Sequence, residues 1–416
     1  MRVHQQTKTV GIIGGGPSGL ALASLLAMKG VDVTVFDDGK RPDLIVGESL
    51  VPAVVPVLRK LGLEEKVQGI GLHKPGVSFT MPGRERVNFN FKNVERCGLP
   101  TYAYNVPRPA FDKLLDERAT ELGAKRVRGR AKLERTGVNR LQLAADTLEA
   151  APWLEGRQPD LLVDSTGRAR LFAKMMEIPS TAGPRKDVAH FAHFEGFEEN
   201  DPKGQVVIGW LEKGWNWRIP LPGRLSVGVV MNRDDAARLG STPEERLENA
   251  IARDPVLSAA GPGRRRVTEV ATYTNYQLIS LRGYGPGWAM TGDAFGFVDP
   301  MLSPGLWLAL HSAELLSENL DDLGAYSRGM RRQLKAWMEM ISHYYSGRIF
   351  SMFHRGMEYS RKYPHDFCKR IQLHFDTQVA CMACGASTKS LYGRTALRVF
   401  SSKAVWGREA AELAIR

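Results

Sequence analysis

Thr9–Gly19 has the sequence TVGIIGGGPSG, and this stretch decides the fold of the 416-residue chain. Its first five residues are apolar or β-branched almost without interruption, which is typical of a parallel strand buried on both faces. Leu20–Lys29 is rich in Ala, Leu and Met at helical spacing, and Gly30 is suited to end that helix. Val31–Phe36 has the pattern of a second strand. The stretch therefore predicts a βαβ unit.

Gly14, Gly16 and Gly19 have the Gly-x-Gly-x-x-Gly spacing of a dinucleotide-binding loop. The first glycine makes the tight turn, the second lets the backbone approach a pyrophosphate, and the third lets the helix pack on the strand. Ser18 lies in the same loop, where amides at the helix start face the phosphates. Asp37 follows the second strand, in position to accept a hydrogen bond from a ribose hydroxyl. The pattern predicts a dinucleotide site but leaves FAD and a nicotinamide cofactor both open.

The composition is that of a globular protein, with 43% hydrophobic and 25% charged residues. No apolar run is long enough to span a bilayer, and the N-terminus lacks the shape of a signal peptide, so we expect a cytoplasmic protein without a membrane span. The net charge of +12 is compatible with nucleic acid, an anionic cofactor or an acidic protein as partner. Because the basic residues are dispersed and no nucleic-acid motif is present, we do not expect nucleic-acid binding.

Four cysteines in a chain of this length do not make a disulfide framework. Cys381 and Cys384 have a Cys-x-x-Cys spacing, but no second pair stands at the spacing of zinc ligands. We therefore expect no metal site. The pattern favours two cysteines one helical turn apart over a redox motif.

Three further segments bear on the choice of dinucleotide. Pro159–Arg168 has an apolar run followed by Asp-Ser-Thr-Gly, and Trp288–Pro300 contains Gly-Asp and then Gly-Phe-Val-Asp-Pro. Arg108 opens a third, helical segment. With these elements in this order, the chain resembles the FAD-dependent monooxygenase superfamily over about residues 9–320. The resemblance implies that FAD is the cofactor, with Arg108 near the flavin and Asp293 accepting a hydrogen bond from the ribityl chain.

The same resemblance implies an α/β fold like that of para-hydroxybenzoate hydroxylase, in which a Rossmann-like FAD-binding domain is interleaved with a β-sheet substrate domain. We expect the FAD-binding module at residues 1–325, with inserted sheet regions at about 70–105 and 186–280. Residues 326–416 are rich in Met, Arg and aromatic residues with few strand signals, which predicts a mainly helical C-terminal section.

Two motifs resemble those of the flavin-dependent halogenases within that superfamily. Gly47, Glu48 and Ser49 match the Gly-Glu-Ser/Ala segment that these enzymes place against the isoalloxazine. Trp215 and Trp217 match the Trp-x-Trp-x-Ile-Pro signature. Two indoles at this spacing lie on one face of an extended strand, where they form an apolar wall. The resemblance implies that this wall keeps the organic substrate away from the flavin, so that halide reacts there instead.

Lys74 is similar to the lysine of the phenol- and pyrrole-acting halogenases. It matches the pattern Phe-x-x-Lys-x-Gly-x-x-Phe at Gly76 and Phe79, whereas Gly71 stands in place of the first aromatic residue. The resemblance implies that a buried ammonium binds hypohalous acid, or that the amine forms a haloamine if desolvation lowers its pKa. The alternative is a solvated lysine in a loop.

The halide segment of the family, Asp-Pro-x-x-Ser-Ser/Thr-Gly, corresponds to Asp299–Gly305 here, with Ser303 as its first serine. Pro304 replaces the next residue and has no N–H, so a halide there depends on the N–H of Gly305 and on neighbouring amides. Leu302 stands where the tryptophan-acting branch carries a glutamate. A free-tryptophan halogenase of that type is therefore not expected.

The resemblance implies an FAD-dependent halogenase that uses chloride or bromide on a phenol or pyrrole, either free or tethered to a carrier protein. A separate flavin reductase would supply reduced FAD, since no second dinucleotide fingerprint is present. The alternatives are a flavin monooxygenase, an isoprenoid-type flavin reductase and a flavin-binding protein without turnover. Four C-terminal aromatic residues either close the substrate pocket or, as their helical spacing favours, belong to the core: Trp337, Tyr344, Tyr345 and Phe350.

Overall fold

A computed structural model describes residues 7–197, 201–274, 277–363, 366–386, 388–400, 402 and 409–415. Parts of the predicted sheet region 186–280 and of the predicted helical section 326–416 lie outside these ranges. Within them, no helix has both the length and the hydrophobicity needed to cross a membrane. In the same ranges, no group of three or more His, Cys, Asp or Glu side chains is placed to hold a metal ion.

The strands and helices are numbered in chain order. The strands are β1 (Thr9–Ile13), β2 (Asp32–Asp37), β3 (Leu72–Lys74), β4 (Gly76–Thr80), β5 (Val87–Asn90), β6 (Ala103–Asn105), β7 (Lys125–Arg128), β8 (Leu133–Arg135), β9 (Leu141–Leu143), β10 (Leu161–Asp164), β11 (Ser180–Ala182), β12 (Asp187–Glu195), β13 (Val206–Trp210), β14 (Trp215–Leu221), β15 (Arg224–Asn232), β16 (Arg265–Arg266), β17 (Ala271–Thr274), β18 (Leu278–Ser280), β19 (Tyr284–Gly285), β20 (Trp288–Met290) and β21 (Gly296–Phe297). The helices are α1 (Pro17–Ala27), α2 (Val54–Leu61), α3 (Glu64–Ile70), α4 (Arg108–Glu121), α5 (Ala145–Glu149), α6 (Leu171–Met175), α7 (Arg233–Ala237), α8 (Pro243–Arg253), α9 (Pro255–Ala260), α10 (Pro304–Glu318), α11 (Leu323–Tyr345), α12 (Arg348–Lys362), α13 (Asp366–Ala383), α14 (Leu391–Phe400) and α15 (Glu409–Glu412). Short 3₁₀ helices span Phe91–Cys97, Pro152–Leu154, Gly167–Ala169 and Gly292–Ala294.

The first sheet has the strand order β19-β20-β10-β1-β2-β7. Its strands are parallel except for the edge strand β19, which pairs antiparallel with β20. The central strand β1 is buried from Val10 to Ile13, as expected for a strand covered on both faces. Helix α1 follows it and packs against α4 and α10. The predicted βαβ unit and the α/β class are therefore confirmed.

The second sheet has the order β16-β12-β15-β14-β13-β4-β5, with β17 also paired to β12. Strand β4 pairs in parallel with β13, although more than a hundred residues of the chain separate the two strands. One face, including Trp217 and Val230, belongs to the large core shared with the first sheet. The other face, including Val227 and Val229, packs under α8 and α9. The first of these faces supplies one side of the candidate site.

The C-terminal section begins with the long helix α11, whose buried residues Met330, Leu334, Trp337 and Ile341 recur at three- and four-residue intervals. This spacing places them on one face of a helix. Helix α13 packs against the 3₁₀ helix Phe91–Cys97 near the second sheet.

One disulfide joins these two elements, between Cys97 and Cys381. Cys384 is buried and free. The sequence drew attention to the Cys-x-x-Cys pair, but the bonding partner of Cys381 is 284 residues away, and only the packing of α13 brings the two together. A pairing at this separation has no local sequence signal.

Candidate active site

The glycine-rich loop runs from the end of β1 to the start of α1. Gly14 has a φ of 105°, which glycine adopts freely, and a Cβ on it would lie 2.5 Å from the carbonyl oxygen of Ser165. Apart from Gly16 and its two chain neighbours, no atom of the described residues lies within 4 Å of the Cβ position of Gly16, so the space beside the first amides of α1 is open. Gly19 packs directly against the carbonyl oxygen of Gly14. The loop therefore fits a pyrophosphate group.

Asp37, the last residue of β2, lies beside this loop. Its Oδ2 accepts hydrogen bonds from Arg41 Nη2 at 3.1 Å and from Arg126 Nη2 at 3.4 Å. Arg41 also donates to the carbonyl oxygen of Gly15. Neither arginine has a signal in the sequence, and Arg126 reaches Asp37 only through the pairing of β2 with β7. Ser18 Oγ is 3.2 Å from Ser312 Oγ, so this hydroxyl contacts α10.

Asp293 follows β20, at the same edge of the first sheet as Gly14 and Asp37. In open parallel sheets, ligands bind outside the carboxyl ends of the strands, and all three residues lie at or just beyond such ends. Burial raises the pKa of the Asp293 carboxyl to about 6, although Arg168 and Arg108 oppose this shift. The structure thus brings Gly14, Asp37 and Asp293 to one edge of the first sheet, an arrangement that fits FAD.

The segment Gly47–Ser49 is fixed from two sides. Arg108, at the start of α4, donates a hydrogen bond to the carbonyl oxygen of Val46 and contacts Asp112 at 3.2 Å. Gly47 has a φ of 93°, and a Cβ on it would lie 2.8 Å from Arg108 Nη1, so the position needs glycine. Arg108 therefore positions the segment that precedes Lys74 in the chain.

Glu48 points from this segment to the second sheet, where its Oε1 lies 2.6 Å from His193 Nε2 of β12. Both side chains are buried. Ser49 Oγ accepts a hydrogen bond from Lys74 Nζ at 2.7 Å. His193 had no signal in the sequence, since a single histidine within an apolar strand is commonly part of the core. The pair Glu48–His193 therefore joins the Gly47–Ser49 segment to the second sheet.

Trp215 and Trp217 lie on the same face of β14, with ring centroids 5.9 Å apart, and both are buried. Trp217 Nε1 donates to Ser226 Oγ at 3.2 Å, and Trp215 Nε1 donates to the hydroxyl of Tyr345 at 3.0 Å. The two indoles form an apolar face of the second sheet, as their spacing predicts.

The segment Asp299–Gly305 forms a turn that leads into α10. The Asp299 carboxylate accepts hydrogen bonds from Met301 N at 2.9 Å and from the Tyr345 hydroxyl and Gln277 Nε2, both at 3.0 Å. Burial raises the pKa of Asp299 to about 7. The carboxylate therefore connects the turn to the C-terminal helix α11 and, through the hydroxyl of Tyr345, to Trp215 of β14.

Leu302 and Ser303, within this turn, have φ values of 67° and 56°. Two consecutive non-glycine residues in the left-handed region are strained, and such strain concentrates at functional sites. Pro304 is the first residue of α10, where an N–H would have no partner within the helix. The missing N–H of Pro304 therefore removes little from the turn, and the amide of Gly305 remains at the helix N-terminus.

Lys74 ends β3 and is 1% exposed. Its Nζ donates to Ser49 Oγ at 2.7 Å and to Leu50 O at 2.9 Å, and lies 5.3 Å from the centre of the Phe91 ring. Burial lowers the pKa of Lys74 to about 7. The lysine is therefore a buried group whose charge changes near neutral pH, and not a solvated loop residue.

Lys74 and Ser303 line one cavity between the second sheet and helices α11 and α13. Most of its wall is aliphatic or aromatic, including Phe79, Phe89 and Phe91. The other polar groups on the wall belong to Tyr344 and Cys384. Trp215 and Trp217 are not among the residues that line this cavity.

Of the four C-terminal aromatic residues singled out in the sequence, Tyr344 lines the cavity and Tyr345 holds the Asp299 turn. Trp337 and Phe350 are core residues. Phe350 packs at 4.5 Å between ring centroids on Trp210, and Trp337 packs at 6.0 Å on Trp307. Helical spacing alone did not distinguish the site residues Tyr344 and Tyr345 from the core residues Trp337 and Phe350, since all four are buried.

Comparisons with known proteins identify the family. The family model for tryptophan halogenase matches residues 90–383, and the model for an FAD binding domain matches residues 7–143. A tryptophan 2-halogenase of Chondromyces crocatus is 29% identical over 83% of this chain and 69% of its own length. A Pseudomonas fluorescens chlorinase acts on a pyrrole-2-carbonyl group on a peptidyl-carrier protein. It is 27% identical to this chain over 80% of this chain and 82% of its own length.

Solved structures are similar in fold. A flavin-dependent brominase has a TM-score of 0.74 at 21% identity, covering 95% of this chain and 97% of its own. A flavoprotein/dehydrogenase of Cytophaga hutchinsonii has a TM-score of 0.77 at 21% identity, covering 95% of this chain and 99% of its own. The family match distinguishes among the monooxygenase, reductase and halogenase alternatives that the fold leaves open. The chain belongs to the tryptophan halogenase family and is a flavin-dependent halogenase, an oxidoreductase that uses FAD and a halide.

Proposed function

We propose that this enzyme transfers chlorine or bromine, as hypohalous acid held by Lys74, to an electron-rich aromatic ring such as a phenol or a pyrrole. When bound in its reduced form, FAD supplies with oxygen the two-electron oxidation that converts halide into hypohalous acid. One observation carries the proposal: the buried Nζ of Lys74 lies in a cavity that Ser303 of the Asp299–Gly305 turn also lines.

Lys74 has the chemistry needed to hold this electrophile. With a pKa of about 7, it exists near neutral pH both as an ammonium and as an amine. The ammonium donates a hydrogen bond to hypohalous acid, whereas the amine attacks the halogen of hypohalous acid, which breaks the oxygen–halogen bond, gives a haloamine and releases water. Ser49 and Leu50 accept hydrogen bonds from Nζ, which has three hydrogens as an ammonium. One hydrogen therefore remains for a ligand in the cavity.

The turn that contains Ser303 is suited to an anion. Helix α10 begins at Pro304 and has 15 residues, so its N-terminus carries partial positive charge. The amides of Gly305 and Leu306 lie in the first turn of this helix and have no partner within it. We propose that these amides, together with Ser303, bind the halide.

The FAD site is proposed from the residues at the edge of the first sheet. Gly14, Gly16 and Gly19, with the amide of Ser18, would hold the pyrophosphate, and Asp37 the ribose of the adenosine half. Asp293 and Arg108 would lie near the ribityl chain and the flavin. Gly47, Glu48 and Ser49 would face the isoalloxazine, and Trp215 and Trp217 would form the wall that separates it from the organic substrate. A separate reductase would supply reduced FAD, since the sequence has one Gly-x-Gly-x-x-Gly fingerprint.

The cavity disfavours a substrate that carries a positive charge. Lys74 is the one charged side chain among the described residues that line it, and it has no carboxylate opposite it there. The ammonium group of a free amino acid would therefore be buried without a partner, which is costly. This argues for a neutral phenol or pyrrole over free tryptophan.

A carrier-tethered substrate is supported by the charge distribution and by one relative. Residues 326–416 contain 16 Lys and Arg against 6 Asp and Glu, so this section carries +10 of the net charge of +12. An acidic carrier protein would be attracted to such a surface. The Pseudomonas fluorescens chlorinase acts on a carrier-bound pyrrole. Free and tethered substrates therefore both belong in the test.

The test is mass spectrometry of reactions that contain enzyme, FAD, NADH, a flavin reductase and a panel of phenols, pyrroles, indoles and carrier-bound pyrrole. Each reaction is run with bromide, with chloride and without halide. Halogen isotope doublets that depend on added halide are expected from neutral phenols or pyrroles. A product that gains oxygen in the halide-free reaction would instead assign a monooxygenase.

Lys74→Met is expected to lower the rate of halogenation at least about a hundredfold, because it removes the group that holds the electrophile. FAD content and melting temperature report whether the fold and the cofactor site remain. Lys60→Met is the matched control, since Lys60 is a partly exposed lysine that pairs with Glu314. Halogenation by Lys74→Met at the rate of the Lys60→Met control would refute the role of Lys74.

A further inference from the structure

The hydroxyl of Tyr344 is buried and, within the described part of the chain, has no hydrogen-bond partner. Other buried tyrosines nearby are satisfied: Tyr345 donates to Asp299, and Tyr326 donates to Met290 O at 2.6 Å. A buried hydroxyl without a partner costs about 1–3 kcal/mol relative to one that is hydrogen-bonded. Because Tyr344 also lines the cavity that contains Lys74, a ligand in that cavity is the candidate partner for the hydroxyl.

The position of this hydroxyl is well defined. Tyr344 lies in the last turn of α11, and its ring packs against Phe79 at 5.8 Å and Phe350 at 5.3 Å between centroids. The residue lines the cavity that contains Lys74. Burial raises the pKa of Tyr344, so the group stays a neutral hydroxyl at the pH of the reaction. It therefore donates or accepts a hydrogen bond, but does not bind a cation as a phenolate.

The remaining wall explains what kind of ligand would meet this hydroxyl. Val77, Phe79, Phe89 and Ile208 present carbon atoms, which favour an aromatic ring. An aromatic ring that carries one hydroxyl, one ring N–H or one carbonyl would satisfy Tyr344 and leave its remaining edges in contact with carbon. A ring without such a group would leave the hydroxyl unpaired.

We propose that Tyr344 is the specificity-determining residue of this halogenase, and that its hydroxyl binds the single polar substituent of a neutral aromatic substrate. The assignment rests on the proposed function, in which Lys74 holds the electrophile in the same cavity. With the substituent held at Tyr344 and the halogen at Lys74, the ring position that faces Lys74 is the one that reacts. Tyr344 thereby sets both the choice of substrate and the site of halogenation.

The first experiment measures binding without turnover. Phenol and toluene, which have similar size but differ in the hydroxyl, are titrated by calorimetry into the enzyme loaded with oxidised FAD. The wild-type enzyme is expected to bind phenol about tenfold more tightly than toluene, and Tyr344→Phe is expected to bind the two alike, because one neutral hydrogen bond is lost. Tyr326→Phe is the matched control and should retain the preference, since it removes a buried hydroxyl outside the cavity lining.

A second experiment uses turnover. For a phenolic substrate, Tyr344→Phe is expected to raise KM about tenfold and to broaden the mixture of halogenated positions, while the KM for halide stays at the wild-type value. FAD content and melting temperature show that the variant is folded. Equal phenol affinity in the wild type and in Tyr344→Phe, or an unchanged product ratio, would overturn the assignment.

Failure of this assignment is distinguishable from failure of the proposed function. A phenol preference that Tyr344→Phe abolishes supports the binding role even if no halogenated product forms, in which case the halogen transfer through Lys74 is what fails. If phenol is halogenated and neither its binding nor the product ratio depends on Tyr344, halogen transfer through Lys74 is supported and the orienting role of Tyr344 is refuted.

Discussion

Lys74 is a residue whose properties come from burial. A lysine without water favours its neutral form, which lowers its pKa to about 7, and two acceptors, Ser49 Oγ and Leu50 O, partly offset the cost of the ammonium. The sequence pattern predicted a functional lysine at this position through its resemblance to the halogenases. The pattern did not contain the acceptors, because Ser49 and Lys74 are adjacent only in the folded chain.

The lowered pKa of Lys74 has a consequence for stability. Between pH 7 and about 10.4 the unfolded chain binds a proton at Lys74 that the folded chain does not, so the free energy of unfolding rises with pH in that interval. The slope from one such proton is at most about 1.4 kcal/mol per pH unit. Urea unfolding at pH 7.5 and 8.5 should therefore show a steeper increase for the wild type than for Lys74→Met. Identical slopes would contradict a buried lysine with this pKa.

The turn from Asp299 to Gly305 shows how elements cooperate at the site. Leu302 and Ser303 have left-handed conformations that cost roughly 1–3 kcal/mol each, and they persist because their surroundings hold them. The Asp299 carboxylate provides that restraint, with hydrogen bonds from three different parts of the chain. The sequence identified the turn, whereas Tyr345 and Gln277 could not be identified as its partners from spacing.

Tyr345→Phe is expected to raise the KM for halide about tenfold, because loss of the hydroxyl removes one of the three donors to Asp299 and loosens the turn. FAD affinity should stay unchanged, since among the described residues no hydrogen bond joins Tyr345 to the glycine loop. The measurement is the rate against halide concentration, with FAD binding followed by flavin fluorescence.

Ser226→Ala serves as the comparison for that variant. It removes the partner of Trp217 on the neighbouring strand but leaves the hydrogen bonds of Asp299 intact. Its halide KM should equal that of the wild type. If Tyr345→Phe and Ser226→Ala change the halide KM by the same factor, the change in KM comes from a disturbed second sheet and not from loss of the hydrogen bond to Asp299.

At the scale of the whole molecule, the C-terminal helices complete the cavity. Helix α11 contributes Tyr344, and α13 with the residue that follows it contributes Ala380, Ala383 and Cys384. The disulfide between Cys97 and Cys381 joins α13 to the 3₁₀ helix that carries Phe91, on another wall of the same cavity. The linkage thus holds two walls of the cavity together.

Reduction of this disulfide is expected to lower the free energy of unfolding by about 2–4 kcal/mol. The melting temperature of the wild type should fall in dithiothreitol, and that of Cys381→Ala should be lower and insensitive to the reductant. Cys384→Ala keeps the bridge, so it should remain sensitive. Alkylation before and after reduction counts the free thiols directly. Labelling of Cys97 without reductant would show that the disulfide is absent.

The sequence by itself determined the βαβ unit, the dinucleotide loop, the tryptophan strand and the identity of the family. These features depend on residues that are close in the chain: a buried strand, glycines where a Cβ would collide, and two indoles on one face of a strand. Resemblance to a known family extended the prediction to Lys74 and to the turn at Asp299.

Only the tertiary structure decided which of these groups meet. Lys74 shares a cavity with Ser303, Glu48 contacts His193, and Cys97 bonds with Cys381, each pair joining segments that are remote in the chain. Tyr344 and Trp337 lie on the same helix, yet one lines the cavity and the other belongs to the core. The physical reason is that burial, pKa and the satisfaction of a hydroxyl depend on what packs against a side chain, and local sequence patterns do not contain that information.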